Sequence, residues 1–84
     1  MTHHSIQAIE TELRAVLGRE LKQDLTTTDA EAPLAQALGI DSLRALELLA
    51  VVEEHFGIEF EDADLARDHS LARIRDAIAE SQET

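Results

Sequence analysis

Leu38-Gly39-Ile40-Asp41-Ser42-Leu43-Arg44-Ala45-Leu46-Glu47-Leu48-Leu49-Ala50-Val51-Val52-Glu53-Glu54-His55-Phe56-Gly57 carries the clearest helical signal in the 84-residue chain. Asp41 and Ser42 are residue types that cap helix N-termini, because their side-chain oxygens accept from otherwise unpaired backbone N–H groups. Leu43, Leu46, Leu49 or Ala50, Val52 or Glu53, and Phe56 then recur at spacings of three and four. Gly57 suits the left-handed cap that ends such a run. The pattern predicts an amphipathic helix over Leu43 to Phe56.

Working outward, Lys22 to Ile40 mixes turn formers (Thr26, Thr27, Thr28, Asp29, Pro33, Gly39) with scattered leucines and lacks sustained periodicity. It reads as a long loop with one short helical turn after Pro33, packed down by Leu25, Leu34 and Leu38. Before it, Ile6, Ile9, Leu13, Val16 and Leu17 form an apolar stripe, predicting a first helix from Ser5 to Leu21. Ser5 is its N-cap, without a reciprocal capping box because Ala8 stands three residues on. Beyond Gly57, Ile58-Glu59-Phe60 is too short for a sheet and reads as an extended connection that drops Ile58 and Phe60 into the core. A short helical turn is expected at Ala63 to Ala66, and Ser70 caps a last helix with Leu71, Ile74 and Ile78, fading from Ser81. The expected fold is all-α: a single domain of three main helices plus one short helix, structured over about residues 5–80, with a long first loop. Its expected core is Ile6, Leu46, Ala50, Val52, Phe56, Phe60, Ile74 and Ile78.

Composition agrees and excludes several functions. Alanine and leucine, strong helix formers, supply 25 of the 37 hydrophobic residues. The absence of cysteine removes disulfides, thiolate metal sites and a cysteine nucleophile. With 18 acidic against 7 basic residues the formal charge is −11, which repels nucleic-acid phosphates and anionic membranes and favours a protein partner with a basic face. Two Phe, with no Tyr or Trp, give no stacking platform for bases. The longest strictly apolar run, Leu48 to Val52, is far too short to span a bilayer, so a soluble cytoplasmic monomer is expected.

Local chemistry is sparse. His3, His4, His55 and His69 show no metal-ligand spacing. Asp62 and Asp64 fit the first two ligand positions of a calcium loop, but Ala66 takes the third and Arg67 stands where the glycine is required. Ser42 lacks the flanking glycines of a hydrolase nucleophile elbow, and no neighbouring residue identifies a base for it. As isolated residues, Asp41 and Ser42 are explained by helix capping.

The longer string Leu38-Gly39-Ile40-Asp41-Ser42-Leu43, with Glu47-Leu48, Glu53-Glu54-His55-Phe56-Gly57-Ile58 and Phe60-Glu61-Asp62, closely resembles the acyl carrier protein family over roughly Pro33 to Ile78. In that family a separate phosphopantetheinyl transferase uses magnesium to move 4′-phosphopantetheine from coenzyme A onto the serine of an Asp-Ser-Leu motif. The resemblance implies that Ser42 is modified, and that the chain is a carrier bundle without catalytic activity of its own. It also implies that Asp41, Leu43, Arg44, Glu47, Glu53 and Glu54 meet partner enzymes. Such partners include the transferase, an acyl- or aminoacyl-loading enzyme, and synthases with basic docking faces. Nine of the 18 acidic residues lie between Asp41 and Asp68, against Arg44 and Arg67 there. Steering of basic partners and simple solubility both account for that charge.

Two positions depart from the family pattern. Arg44 stands where many carriers of fatty acid synthesis have an acid, and Glu61 replaces the usual proline. The first of these makes the chain look more like carriers of polyketide or mixed polyketide and peptide biosynthesis. Peptidyl carriers more often have a second glycine where Ile40 stands, so an acyl cargo is preferred. An aminoacyl or peptidyl carrier, and an unmodified helical interaction module, are the alternatives. Part of an acyl chain is expected to enter between the second and third main helices.

Overall fold

The computed structural model describes residues 5–60 and 70–82. Four helices occupy them: α1 (Ile6–Leu21), α2 (Leu34–Leu38), α3 (Ser42–Phe56) and α4 (Leu71–Gln82). The α1 helix packs against both α3 and α4, and α2 packs against α3. His55 near the end of α3 pairs with Glu12 in α1, whereas Val51 shares a hollow with Val16, Arg19 and Glu20, so α1 and α3 run antiparallel. The expected all-α architecture is correct among the described residues. The short helical turn expected at Ala63 to Ala66 lies outside them.

The α1 helix begins as its sequence dictates, with the Ser5 hydroxyl accepting from the Ala8 N–H at 3.1 Å and no reciprocal capping box. Ile9, Leu13, Val16 and Leu17 bury one stripe of it. It ends at Lys22, whose φ of 56° lets the chain turn back so that the Gln23 N–H reaches the Gly18 carbonyl at 2.9 Å. That reversal requires glycine at 18, since a Cβ there would stand 2.7 Å from the Gln23 carbonyl oxygen.

The long first connection is tied down along its length. Arg14 donates to the carbonyls of Leu25 and Thr28, and the Asp24 and Asp29 carboxylates cap local turns at Thr26 and Glu31. Further on, the Ala72 N–H donates to the Ala30 carbonyl at 3.0 Å, and Pro33 forms an isolated antiparallel bridge with Ser70. Leu25, Leu34 and Leu38 are buried as expected, and the helical turn after Pro33 is α2.

The core departs from its sequence expectation at three positions. Val52, Ile74 and Ile78 are buried, and Phe56, Ile58 and Phe60 are half-buried against the core. Ile6 and Leu46, however, are 52% and 48% exposed, and Ala50 is also exposed. The α3 helix has two apolar stripes, and the one that packs is Ala45, Leu48, Leu49, Val52 and Phe56, at spacings of three and four. Leu46 and Ala50 fall on the opposite side. Ile6 sits in the first turn of α1, before the buried stripe begins at Ile9.

The α4 helix starts where the Ser70 hydroxyl accepts from the Arg73 N–H at 3.2 Å, and it extends to Gln82, a residue past the expected fade. Its Arg75 donates to Glu10 at 2.7 Å, and Arg14 donates to the other oxygen of the same carboxylate at 3.2 Å. One α1 carboxylate thus joins α4 to the arginine that holds the first connection. The Arg75 hydrogen bond, with help from Arg14, holds the Glu10 carboxyl below its ordinary range despite partial burial, and the same contact raises Arg75.

Candidate functional site

Ser42 is the first residue of α3 and is exposed. Its position is fixed by what flanks it. On one side Leu38 is buried and Ile40 packs against the core; on the other, Ala45 is fully buried. Between α2 and α3 the chain turns at Gly39, where φ is 67° and the Ile40 N–H donates to the Ala35 carbonyl at 2.9 Å. Any Cβ at Gly39 would meet open space, so glycine is favoured there by backbone conformation alone.

Asp41 is the N-cap. Its backbone is extended, at φ −82° and ψ 170°, and its carboxylate accepts from the Arg44 N–H at 2.7 Å. The Ala45 N–H donates to the Asp41 carbonyl at 3.0 Å. This leaves the N–H groups of Ser42 and Leu43 without acceptors among the described residues, at the positive end of a 15-residue helix. A phosphodiester on the Ser42 hydroxyl would meet favourable electrostatics there, and the exposed side chain leaves room for it.

The arrangement provides no self-contained serine catalysis. The Asp41 carboxylate is committed to the cap, and His55 lies at the other end of α3, bonded to Glu12 at 3.0 Å. No described residue is placed as a base for Ser42. Among the described residues there is no group of three or more His, Cys, Asp or Glu able to hold a metal ion. His3, His4, His69, Asp62 and Asp64 lie outside the described residues. No described helix is long and apolar enough to cross a membrane.

The neighbours expected to meet partners are distributed along the outer side of α3. Leu43 is 70% exposed. Arg44 reaches Glu47 at 3.5 Å, with Glu47 the more exposed of the two. Glu54 is exposed, whereas Glu53 is half-buried and its carboxylate accepts from the Phe60 N–H at 2.7 Å. Glu53 therefore holds the extended segment after α3 as well as contributing charge. Leu46 and Ala50, expected in the core, instead extend Leu43 into an exposed apolar strip at 43, 46 and 50. The signal for that strip is the competing packing stripe starting at Ala45. A hollow of about 690 Å³ on the outer face of α1, near Arg14, Gly18, Lys22 and Leu25, includes none of these α3 residues.

The family model described as "Phosphopantetheine attachment site" matches residues 11–78. The chain is 32% identical over 72 residues to an acyl carrier protein of Nitratidesulfovibrio vulgaris (strain DSM 19637 / Miyazaki F), covering 86% of this chain and 91% of that relative. It is 36% identical over 55 residues to an acyl carrier protein of Helicobacter pylori (strain G27), covering 66% of this chain and 70% of the relative. A Helicobacter acinonychis acyl carrier protein is 38% identical over the same length. No solved structure gives a significant match.

Proposed function

Because this chain belongs to the acyl carrier protein family, whose members hold 4′-phosphopantetheine covalently and have no catalytic activity of their own, we propose that Ser42 is its attachment residue. The observation that carries this reading is an exposed serine hydroxyl at the N-terminus of α3, beside two backbone N–H groups that have no acceptor among the described residues, and with no described residue placed as a base. When bound, the group supplies the thiol that this cysteine-free chain lacks, and cargo travels on it as a thioester. The protein's own contribution is to hold Ser42 at a fixed point through Leu38, Ile40 and Ala45, cap the helix with Asp41, and present Leu43, Arg44, Glu47 and Glu54 to partners. Tethering raises the local concentration of cargo at successive enzyme active sites.

The carrier acts as a cytoplasmic monomer in polyketide or mixed polyketide and peptide biosynthesis, with an acyl cargo. Arg44, where many carriers of fatty acid synthesis have an acid, supports this narrower assignment. Its partners are a phosphopantetheinyl transferase, a loading enzyme and synthases that approach α3. Intact mass after incubation with coenzyme A, magnesium and a broad-specificity transferase tests the attachment: wild type gains the 4′-phosphopantetheinyl group, and Ser42→Ala does not. No gain on wild type with several transferases overturns it. Loading of the modified protein by an adenylating enzyme from its own gene neighbourhood would replace the acyl cargo with an amino acid.

A further inference from the structure

Arg44 is the sole Lys or Arg between Lys22 and Arg67, a stretch with eleven acidic residues. It occupies the third position of α3, where an acidic side chain would be favoured twice over. Such a side chain would complement the positive helix end, and it would reach back to the N-cap N–H in a capping box with Asp41. A cation there opposes the helix dipole. Among the described residues its one side-chain partner is Glu47, at 3.5 Å and exposed, an ion pair of the kind that contributes little to stability.

The fold therefore gains little from the charge of this arginine, whatever its half-buried stem contributes by packing. Nor is it placed to clamp a phosphate on Ser42, because residues two apart on a helix point to different sides, and its guanidinium is drawn along the outer face toward Glu47. What it offers is a half-buried side chain whose cationic end is held only by a long, exposed contact, two residues from Ser42 and next to the exposed Leu43.

Resting on the attachment of 4′-phosphopantetheine at Ser42, we propose that Arg44 is a specificity residue, and that the transferase acting on this chain sets a carboxylate against it. The docking face is thus of mixed sign: an acidic partner group at Arg44 beside the serine, and basic groups toward Glu54 at the far end of α3. The requirement selects against enzymes that are basic along their whole docking surface, since these meet a like charge at Arg44.

The test measures steady-state modification of wild type, Arg44→Gln and Arg44→Glu by the phosphopantetheinyl transferase of the source organism, at low and high salt, varying carrier and coenzyme A separately. Arg44→Glu is expected to lower kcat/KM for the carrier about tenfold, Arg44→Gln less, and high salt to narrow the gap. A Lys substitution of the facing transferase carboxylate should restore Arg44→Glu. Thermal melting separates this from misfolding, because Arg44→Glu completes the capping box and is expected to raise Tm. Equal kinetics for the three proteins, faster modification of Arg44→Glu, or an effect confined to the KM for coenzyme A each overturn the proposal. Mass gain on all three proteins leaves the attachment reading intact in those cases, whereas no gain on wild type refutes that reading itself.

Discussion

The two ends of this small bundle use charge in opposite ways. At the α1–α4 junction the charged groups are consumed by the fold: Glu10 takes hydrogen bonds from Arg14 and Arg75, and Arg14 also closes the first connection onto α1. At the start of α3 only Asp41 is consumed, by the cap, while Arg44 and Glu47 share a long, exposed contact beside the uncovered Leu43. Charge that is satisfied internally marks the part that holds the shape. Charge and apolar surface left at the solvent mark the part proposed to meet other molecules.

The sharpest way to break that contrast is to alter the serine itself. Ser42→Ala is expected to abolish 4′-phosphopantetheine attachment while changing stability by no more than about 0.5 kcal/mol, as mass spectrometry and urea unfolding would report. Next comes a pair of leucine truncations on the same helix. Leu48→Ala removes a fully buried side chain and should cost about 2–5 kcal/mol. Leu43→Ala, from the exposed strip, should stay within about 0.5 kcal/mol of wild type in the same unfolding assay and slow modification instead. Removing the cap with Asp41→Ala should cost about 1 kcal/mol, and Asp41→Asn much less.

The smallest effect sharpens the other end. Glu10→Gln should cost on the order of 1 kcal/mol or less at neutral pH, because the cluster is partly screened by solvent. The Glu10 carboxyl is held below its ordinary value of 4.5 by Arg75 and Arg14. Its contribution is therefore complete above that value and disappears as pH falls through the lower folded-state value. Urea midpoints of wild type and Glu10→Gln should converge in acid. A gap that persists or widens there would assign the effect to packing.

Much of this division is legible in the residues. The helices α1, α3 and α4 follow from periodicity and caps, the short α2 only from Pro33 and its leucines, and Ser5, Asp41, Gly57 and Ser70 stand at helix ends as their side-chain chemistry and backbone freedom predict. The proposal of Ser42 starts from the motif around it. The sorting of α3 was harder, because leucines at 43, 46, 48 and 49 satisfy helical spacing in two directions, and only the positions of α1 and α2 decide that Ala45, Leu48, Leu49 and Val52 face inward. Long-range ties such as Arg75 to Glu10, 65 residues apart, leave no local trace, since they depend on how the helices dock. The same holds for Glu53, whose carboxylate caps the Phe60 N–H across a turn.

The central claim, that Ser42 is the residue this bundle exists to present, is tested most directly by fragmenting the modified protein in a mass spectrometer after incubation with coenzyme A, magnesium and transferase. A single 4′-phosphopantetheinyl group on Ser42, with none elsewhere in the chain, is the expected result. A group on another residue, or attachment that persists in Ser42→Ala, would contradict it.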